Sequence, residues 1–552
     1  MDYTSKRKKA NTQALQAVDG QKNCARFDPP GRWLTVSLAI AVLLAVVVRL
    51  RLLSIPLERD EGEFAYAGQL MLKGIPPYKL AFNIKLPGTY AAYAGMMGLF
   101  GQTTTGIHFG FLLVNLATLA LLFLIARRLL DAESAAIACV CYALFSLSPG
   151  VLGLQGHATH LVMLTALGGL WLLLQARASG RAWSFWWSGM LFGLSFLCKQ
   201  PGLFFGMFGG AILLRDAAEA PAAQRAARLR QIGIFCAGVA LPFMATCLWM
   251  WRAGTLQRFW FWTIVYATFH AGNLGEEQVW WQLNDFSRRG GALELWALAA
   301  AAGLVCLLVD KARSDAKFIV VCLLGFSLMA LMASFYLFRH YFIVLLPVAS
   351  LLVAVAVRGA ARGAGWKFAG GFFALACAAF IVVNRAVWFQ LPPEAVSHSL
   401  YQSELFAEAV EIGRYIRAHS TESDSIEVLG SEPEIYFYAH RHSASGYMYM
   451  YDLTKLSPYV PAMQREMMHD IETAKPFYLV DVHVPTSWAI TMNSDREIIN
   501  WSGAYERQYY DLAGKVVLAG TGRADYLWGP EAATNQMNAW TYISILRRKP
   551  GR

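Results

Sequence analysis

Residues 59–66 read RDEGEFAY and come just after the first strongly apolar segment of the chain, residues 33–48. A cluster of acidic side chains lies in and beside this stretch: Glu58, Asp60, Glu61 and Glu63. Carboxylates have short stems and cannot snorkel to the headgroups as lysine does, and ionisable groups at a membrane usually have a function. We therefore expect Asp60 to take part in chemistry. The structural alternative is an acidic residue that stabilises a helix N-terminus.

The composition indicates a membrane protein with one soluble part. The chain has 552 residues, of which 56% are hydrophobic and only 15% are charged, whereas soluble proteins carry about 25% charged residues. We predict a basic, disordered cytoplasmic tail over residues 1–32, a multi-span α-helical membrane domain over 33–389 and a small α/β soluble domain over 390–552. The net charge of +11 is typical of basic cytoplasmic loops rather than of nucleic-acid binding.

Apolar windows predict about eleven spans, because a span needs about 20 predominantly apolar residues. The windows are 33–53, 106–126, 134–150, 158–175, 183–198, 201–214, 231–251, 292–309, 316–338, 340–357 and 366–388. If the N-terminus is cytoplasmic, every loop placed inside is basic, as the positive-inside rule requires. An odd number of spans then places residues 390–552 outside. Residues 86–101 would invert this pattern as a span, so we interpret them as an interfacial helix on the outer surface.

Beyond Pro392-Pro393 the pattern changes to that of a small α/β domain. Apolar residues at helical spacing predict a helix over about 400–418, and a further helix is expected near 456–473. Short apolar runs predict strands at 426–429, 477–482 and 542–546.

Several polar residues fall at span ends on the predicted outer side. Cations stand at Lys85, Lys199 and Arg339, and histidines at His157, His160 and His340. Carboxylates can accept protons, and cations can bind a phosphate or pyrophosphate, so the set is typical of a site for a charged substrate. The His157–His160 pair has no acidic residue beside it and is a weak metal site. No cofactor is required by the sequence, although the acidic loop is compatible with a divalent metal ion, whose ligands stay unassigned.

The order of the motifs resembles that of the GT-C glycosyltransferases, and most closely the bacterial relatives of protein O-mannosyltransferases and of the lipid A aminoarabinose transferase. Residues 59–66 look like the Asp-Glu loop of this class, and LKGIPPY at 72–78 resembles its L-x-G-x-x-P-Y turn. KLPGTY at 85–90 is similar to the Lys-Pro-Pro start of the interfacial helix. CKQP at 198–201 and RHY at 339–341 resemble the Lys-Gly and Arg-Tyr segments.

Two departures from the class pattern stand out. His157 and His160 occupy positions where many relatives carry an acidic residue. Leu86 and Gly88 interrupt the Lys-Pro-Pro pattern. The metal and the acceptor therefore do not carry over from the class to this chain.

The resemblance implies transfer of a hexose or pentose from a polyprenyl-phosphate carrier to a lipid, glycan or protein acceptor. The reaction would take place on the outer face of a bacterial cytoplasmic membrane, with inversion at the anomeric carbon. Asp60 is the expected general base, and Glu61 is its orienting neighbour or a second acidic contact. The expected ligands of the donor phosphate are Lys85, Lys199, Arg339 and His340. The expected acceptor-contacting or secondary residues are His157, His160, Tyr66 and Tyr341.

Two other functions remain open from the residues alone. In a secondary transporter, Asp60 and the cations would form an outward-facing site for a charged substrate. Transporters usually place such groups near the bilayer midplane between repeated halves, and here they fall at span ends. In a non-catalytic membrane sensor, Asp60 would have no role in chemistry.

Overall fold

The computed structural model describes residues 31–271, 292–310, 314–333, 336–401, 405–519, 523–534 and 541–551, and the single residues Trp280, Asn284 and Arg288. Most of the predicted tail, residues 1–30, lies outside the described residues. The remainder has a large helical part, followed by a smaller part that contains a β-sheet.

The helical part consists of long helices joined by short loops and turns. The helices are α1 (Arg32–Arg51), α2 (Arg59–Leu72), α3 (Gly88–Phe100), α4 (Thr104–Leu129), α5 (Ala132–Phe145), α6 (Ala158–Ser179), α7 (Ala182–Cys198), α8 (Leu203–Glu219), α9 (Ala222–Arg252), α10 (Leu293–Val309), α11 (Ser314–Met332), α12 (Leu346–Ala364) and α13 (Trp366–Arg385). Shorter helical segments lie at Pro149–Val151, Gln200–Gly202, Leu256–Trp260, Phe261–Tyr266, Ala267–Ala271, Arg339–Leu345 and Ala386–Gln390.

Each of the predicted apolar windows contains a helix of this part, and residues 86–101 contain α3. Among the described residues, seven helices are long and apolar enough to cross a membrane, and two further apolar helices, α5 and α10, are shorter. The chain is therefore a multi-pass membrane protein. The number of about eleven spans and the interfacial position of α3 stay predictions.

An ion cluster joins three helices at the end of α6 that lies opposite His157. Arg177 donates two hydrogen bonds of 2.8 Å to Asp216 on α8 and bonds of 3.0 and 3.1 Å to Asp315 on α11. A guanidinium can serve two carboxylates at once because its donors form a planar fork. This cluster fixes the far ends of the helices whose near ends carry the polar residues discussed below.

The smaller part has a mixed sheet flanked by helices. The strands are β1 (Ser425–Leu429), β2 (His442–Ser443), β3 (Tyr478–His483), β4 (Tyr510–Ala519), β5 (Arg523–Trp528) and β6 (Tyr542–Arg548), in the order β2-β1-β3-β6-β4-β5. β1 pairs in parallel with β2 and β3, and the pairs of β6 with β3 and of β4 with β6 and β5 are antiparallel. The helices are α14 (Phe406–Ala418), α15 (Val460–Ala474) and α16 (Glu497–Tyr509), with short segments at Pro393–Tyr401, Glu434–Ala439, Tyr451–Thr454, Pro485–Trp488 and Pro530–Thr534.

The expected strands at 426–429, 477–482 and 542–546 correspond to β1, β3 and β6, and the helix near 456–473 corresponds to α15. The helix expected over about 400–418 corresponds to α14, which begins only at Phe406, and a separate short segment covers Pro393–Tyr401. The sequence did not predict β4 and β5. The pairing of β4 shifts register between Leu512 and Gly514, and such a bulge breaks the apolar–polar alternation that marks a strand.

The sheet part packs directly against α2. Glu434, the first residue of the short helix Glu434–Ala439, lies so close to Gly62 that a Cβ on Gly62 would be 2.5 Å from the Glu434 Cβ. One turn further along α2, the ring of Tyr66 stacks on Tyr436 with 5.0 Å between centroids. The helix that begins with the acidic stretch is thus held from both sides, by the helical part and by the sheet part.

Candidate active site

Asp60, Glu63 and Lys85 form an ion triad in which one ammonium serves two carboxylates. Lys85 Nζ lies 2.6 Å from Asp60 Oδ1 and 2.6 Å from Glu63 Oε2. The Asp60 side chain is 27% exposed and that of Lys85 23%, whereas Glu63 is fully buried. The triad therefore presents an acid and a cation to a partly open face and keeps the second acid inside.

Glu63 is surrounded by hydrogen-bond donors. Its Oε1 accepts from the Tyr90 hydroxyl at 2.5 Å, and its Oε2 accepts from Asn83 at 2.8 Å and from the Tyr449 hydroxyl at 2.6 Å, in addition to Lys85. Buried carboxylates need such partners, because an unpaired buried charge costs several kcal/mol. The partners come from three parts of the chain, which makes Glu63 the anchor of the triad.

The start of α2 places Asp60 by a reciprocal cap. Glu58 accepts a hydrogen bond from the Glu61 amide at 3.0 Å, and the Glu58 amide donates to Glu61 Oε2 at 3.4 Å. This capping box satisfies amides that a helix N-terminus otherwise leaves free. Asp60 lies between the two capping residues and is itself in the first turn, where the helix dipole favours a carboxylate.

The Glu61 side chain is buried and bonded inside the protein. Its Oε1 accepts from the Gly156 amide at 2.5 Å and lies 2.9 Å from His108 Nε2, and the side chain is fully buried. These contacts tie α2 to α4 and to the loop before α6. They support the role of an orienting neighbour for Asp60.

Close contacts bring the Lys85 loop to the Lys199 loop. A Cβ on Gly88 would lie 2.5 Å from the Leu197 carbonyl oxygen, so a larger residue would not fit there. Thr89 donates to the Cys198 carbonyl at 2.7 Å, and the Gln200 side-chain amide donates to the Ile84 carbonyl at 2.5 Å. The glycine that interrupts the Lys-Pro-Pro pattern thus has a packing reason.

Lys199 lies over an aromatic ring near the triad. Its Nζ is 3.6 Å from the centroid of the Tyr341 ring, a cation–π contact. Burial lowers the pKa of the Lys199 amine to about 7, although the Asp60 carboxylate opposes this shift. At neutral pH, binding of an anionic ligand would therefore favour the protonated, charged form of the Lys199 amine.

Two histidines extend the site beyond Asp60. The rings of His157 and His340 stack with centroids 4.1 Å apart, and His340 Nε2 lies 3.9 Å from Asp60 Oδ2. Burial lowers the pKa of His157 to about 4, so its imidazole is neutral at physiological pH. Neither ring nitrogen of His157 has a hydrogen-bond partner among the described residues.

These two histidines and Asp60 could hold a metal ion. One ligand atom from each of Asp60, His157 and His340 lies within 4.8 Å of the others. Neutral imidazole nitrogens with one carboxylate oxygen suit zinc and other transition metals. His160, whose spacing from His157 makes only a weak metal site in the sequence, is not part of this group. Lys85 already neutralises the other oxygen of Asp60, so a metal ion would have to bind beside that ammonium.

The remaining predicted site residues lie at the edge of the triad or away from it. Arg339 donates to the Leu400 carbonyl at 2.8 Å and contacts the Pro149 carbonyl at 3.5 Å. The Tyr66 hydroxyl is bonded to Ser443 at 2.8 Å. His160 is buried, and its ring nitrogens have no hydrogen-bond partner among the described residues.

The electrostatic surroundings of Asp60 decide the charge of its carboxyl group. Burial raises the pKa of the Asp60 carboxyl, but the adjacent Lys85 ammonium outweighs burial and holds this pKa below its usual value. Asp60 is therefore ionised at neutral pH. For Glu63, burial raises the pKa, and the bonds from Lys85 and Tyr449 offset only part of that shift.

The sequence analysis did not single out Glu63, Tyr90 or Tyr449 as site residues. Glu63 was visible as part of the acidic cluster, and a spacing of three from Asp60 puts the two carboxylates on one helix face. Tyr449 carried no signal, because it is 386 residues from Glu63 along the chain.

Comparison with known proteins supports this class of fold. The sequence profile of the dolichyl-phosphate-mannose-protein mannosyltransferase family matches residues 85–251. No curated protein sequence matches the chain significantly.

Among solved structures, ArnT from Cupriavidus metallidurans bound to undecaprenyl phosphate has a TM-score of 0.58 at 13% identity, covering 93% of this chain and 98% of that protein. The oligosaccharyltransferase AglB from Archaeoglobus fulgidus, in complex with an inhibitory peptide and a dolichol-phosphate, has a TM-score of 0.55 at 13% identity, covering 94% of this chain and 76% of that protein. The chain is thus a multi-pass membrane protein with the GT-C fold, and the resemblance to GT-C glycosyltransferases that its motifs predict is confirmed.

Proposed function

We propose that this protein transfers a sugar from a polyprenyl-phosphate carrier to an acceptor hydroxyl or amine. The observation that carries the proposal is the ion triad, because it places a carboxylate and a cation side by side at a partly open face of a GT-C fold. Structural neighbours are described with undecaprenyl phosphate and with dolichol-phosphate bound. A polyprenyl-phosphate sugar is therefore the donor that fits both the fold and the charge.

The residues divide the chemistry between them. Lys85 and Lys199 stabilise the negative charge that develops on the phosphate as the bond from the anomeric carbon to the phosphate oxygen breaks. Asp60 takes the proton from the acceptor as its oxygen or nitrogen forms the new bond to the same carbon. A base opposite the leaving phosphate gives a single displacement with inversion, and positioned proton transfer contributes roughly 10²–10⁴-fold to the rate.

Arg339, His340, His157, His160, Tyr66 and Tyr341 have supporting places in this proposal. His340 and Tyr341 lie against Asp60 and Lys199 respectively, and both can contact the donor. Arg339 and Tyr66 make hydrogen bonds that hold neighbouring segments in place. If a divalent ion takes part, Asp60, His157 and His340 are its ligands, and it would add positive charge next to the phosphate.

We further propose the bacterial cytoplasmic membrane as the location, with the N-terminus inside and residues 390–552 outside. The support is the positive charge of the loops that this orientation places in the cytoplasm. The catalytic domain then covers residues 33–389 and the active site faces the outer leaflet. A cysteine introduced in place of an exposed residue of β5, such as Tyr526, should react with a membrane-impermeant maleimide in intact spheroplasts.

The acceptor and the sugar can be identified together by mass spectrometry. Surface glycolipids and glycoproteins from cells that express the wild type should carry a sugar that is missing from cells that express Asp60→Asn. Identical glycolipid and glycoprotein profiles, with both proteins present in the membrane in equal amount, would contradict the proposal.

A further inference from the structure

The segment 443–449 of the sheet part contacts the loop that carries Lys85 and one carboxylate of the ion triad. The Ser443 hydroxyl donates to the Leu80 carbonyl at 3.0 Å, and the Phe82 amide donates to the Gly446 carbonyl at 2.7 Å. Tyr449 then reaches Glu63 with its hydroxyl at 2.6 Å from Oε2. The sheet part therefore holds the loop that carries Lys85 at Leu80 and Phe82, and it also contacts Glu63, the buried partner of Lys85.

Tyr449 differs from its near neighbour Tyr447 in what its hydroxyl contacts. Both rings are buried, with 2% and 4% exposure. The Tyr447 hydroxyl donates to Glu466 Oε2 at 2.8 Å, and the Glu466 side chain is 38% exposed. Of these two tyrosines, Tyr449 donates to a carboxylate of the triad and Tyr447 does not, so the two residues of one segment form a matched pair for substitution.

We propose that Tyr449 is a positioning residue for Lys85 and that it acts through Glu63. This inference rests on the proposed function and adds a part of the chain that the motifs did not include. The Tyr449 hydroxyl and the Lys85 ammonium both donate to Glu63 Oε2. The phenol therefore fixes the position of the oxygen that binds Lys85. With Glu63 ionised and fixed, Lys85 keeps one anchor when the donor phosphate draws it away from Asp60. Asp60 is then free to accept the proton of the acceptor.

The proposal also explains why two carboxylates share one lysine. Asp60 is partly exposed and can exchange its partner, whereas Glu63 is fully buried and accepts from Tyr90, Asn83 and Tyr449 as well as Lys85. In each reaction cycle Lys85 would exchange its bond to Asp60 for one to the donor phosphate, while it keeps its bond to Glu63. Movement of the Lys85 ammonium thus couples binding of the donor phosphate to loss of the ion pair that occupies Asp60.

Removing the Tyr449 hydroxyl should produce a defect that depends on pH. A hydrogen bond to a carboxylate favours its charged form, so Tyr449→Phe raises the pKa of Glu63. The groups that face this carboxylate are Lys85, Asp60, Asn83, Tyr90 and the Tyr78 phenol. At low pH more of the variant has a neutral Glu63, and Lys85 loses its anchor. The defect should shrink as the pH rises and Glu63 ionises again.

The experiment measures kcat/KM for the donor from pH 5.5 to 9 with the purified full-length wild type, Tyr449→Phe, Tyr447→Phe and Tyr90→Phe. In Tyr449→Phe and Tyr90→Phe the acid limb should move up by about one pH unit, since one charged hydrogen bond corresponds to that order of shift. The KM for the donor should rise about tenfold at the acid end and approach that of the wild type at the alkaline end. Tyr447→Phe should keep the profile of the wild type.

The outcomes separate the inference from the proposed function. If Tyr449→Phe has the wild-type profile, or loses the same factor at every pH, the positioning role is wrong, while an active wild type leaves the proposed function standing. If the wild type itself transfers no sugar, the proposed function fails. In that case, the affinity of the same four proteins for a polyprenyl phosphodiester, measured in detergent micelles over the same pH range, tests the positioning role without the reaction. Thermal unfolding of each variant in detergent shows whether a loss has a cause in folding instead.

Discussion

Asp60 and Glu61 are neighbours in the chain, yet their side chains have different tasks. Asp60 is partly exposed and paired with Lys85, and Glu61 is buried against His108 and the Gly156 amide. A group that reacts needs access to its substrate, whereas a group that only orients a helix needs satisfied bonds. Substitution of Asp60 should therefore lower mainly the reaction rate, whereas substitution of Glu61 should lower mainly the stability of the fold.

Glu61→Gln should destabilise the protein more than it slows the reaction. Glutamine replaces one carboxylate oxygen with an amide nitrogen that cannot accept a hydrogen bond. Either the Glu58 amide, or His108 and the Gly156 amide together, then loses its acceptor, at a cost of about 1–3 kcal/mol. We expect a lower thermal unfolding midpoint in detergent, with most of the activity per folded molecule retained. Loss of activity without loss of stability would instead assign Glu61 a direct part in the chemistry.

Lys199 should make donor binding dependent on pH. Because burial lowers the pKa of Lys199 to about 7 in the free protein, the amine is charged below that pH and neutral above it. The donor phosphate pairs with the charged form, so affinity should fall by up to about tenfold per pH unit above pH 7. A polyprenyl phosphodiester is the suitable ligand, since it does not itself titrate in this range.

The matched variant for this prediction is Lys199→Arg, because a guanidinium stays charged throughout the range. Its affinity for the phosphodiester should be nearly constant from pH 6 to 9, as measured by isothermal titration calorimetry in detergent. Parallel affinity profiles for the wild type and Lys199→Arg would remove Lys199 from the phosphate site.

The sequence indicated some of these residues and could not indicate others. Asp60, Lys85 and Lys199 were expected to form one site because all three fall on the predicted outer side of the membrane, and the structure brings their charges together. Glu63 and Tyr449 depend on a contact across 386 residues, which no local pattern reports.

The helix α2 joins the two parts of the molecule, and Gly62 is its point of closest contact. The backbone nitrogen of Glu434 would lie 2.6 Å from a Cβ on Gly62, and backbone cannot move aside as a flexible side chain can. The first turn of α2, with its capping box and Asp60, is therefore set by the position of the helix Glu434–Ala439.

Gly62→Ala should push α2 away from Glu434 and weaken the site. Overpacking of this kind costs about 1–3 kcal/mol, so a lower unfolding midpoint and a slower transfer rate are expected together. Gly95→Ala is the control, because the space beside Gly95 in α3 is open and alanine favours a helix over glycine. Equal unfolding midpoints for the two variants would contradict the close contact.

The secondary structure was easier to predict where periodicity is strong. Each apolar window contains a helix, since a membrane-sized helix is apolar on most of its surface and stands out in the sequence. In the sheet part, β1, β3 and β6 were expected and β4 and β5 were not. β5 carries arginine, aspartate and tyrosine among its six residues, so its composition resembles that of a loop.

In the whole molecule, the sheet part is built into the loops that carry the triad. The Leu57 amide donates to the Tyr438 hydroxyl at 2.8 Å, and Arg59 donates to the Ser431 carbonyl at 2.6 Å. Together with the bond from Tyr449 to Glu63, these bonds attach the chain on both sides of Asp60 to the sheet part. A division at residue 389 stays a prediction, and the proposed reaction would use residues on both sides of that boundary.

The central claim is that Asp60 removes a proton from the acceptor while Lys85 holds the donor phosphate. Its most direct test is the rate of polyprenyl-phosphate release from a polyprenyl-phosphate sugar by purified wild type and Asp60→Asn, with the acceptor that mass spectrometry identifies. Asparagine cannot take the proton but keeps the shape of the side chain, so the rate should fall by about 10²-fold or more while the variant still binds the donor. Equal release rates for the two proteins would contradict the claim.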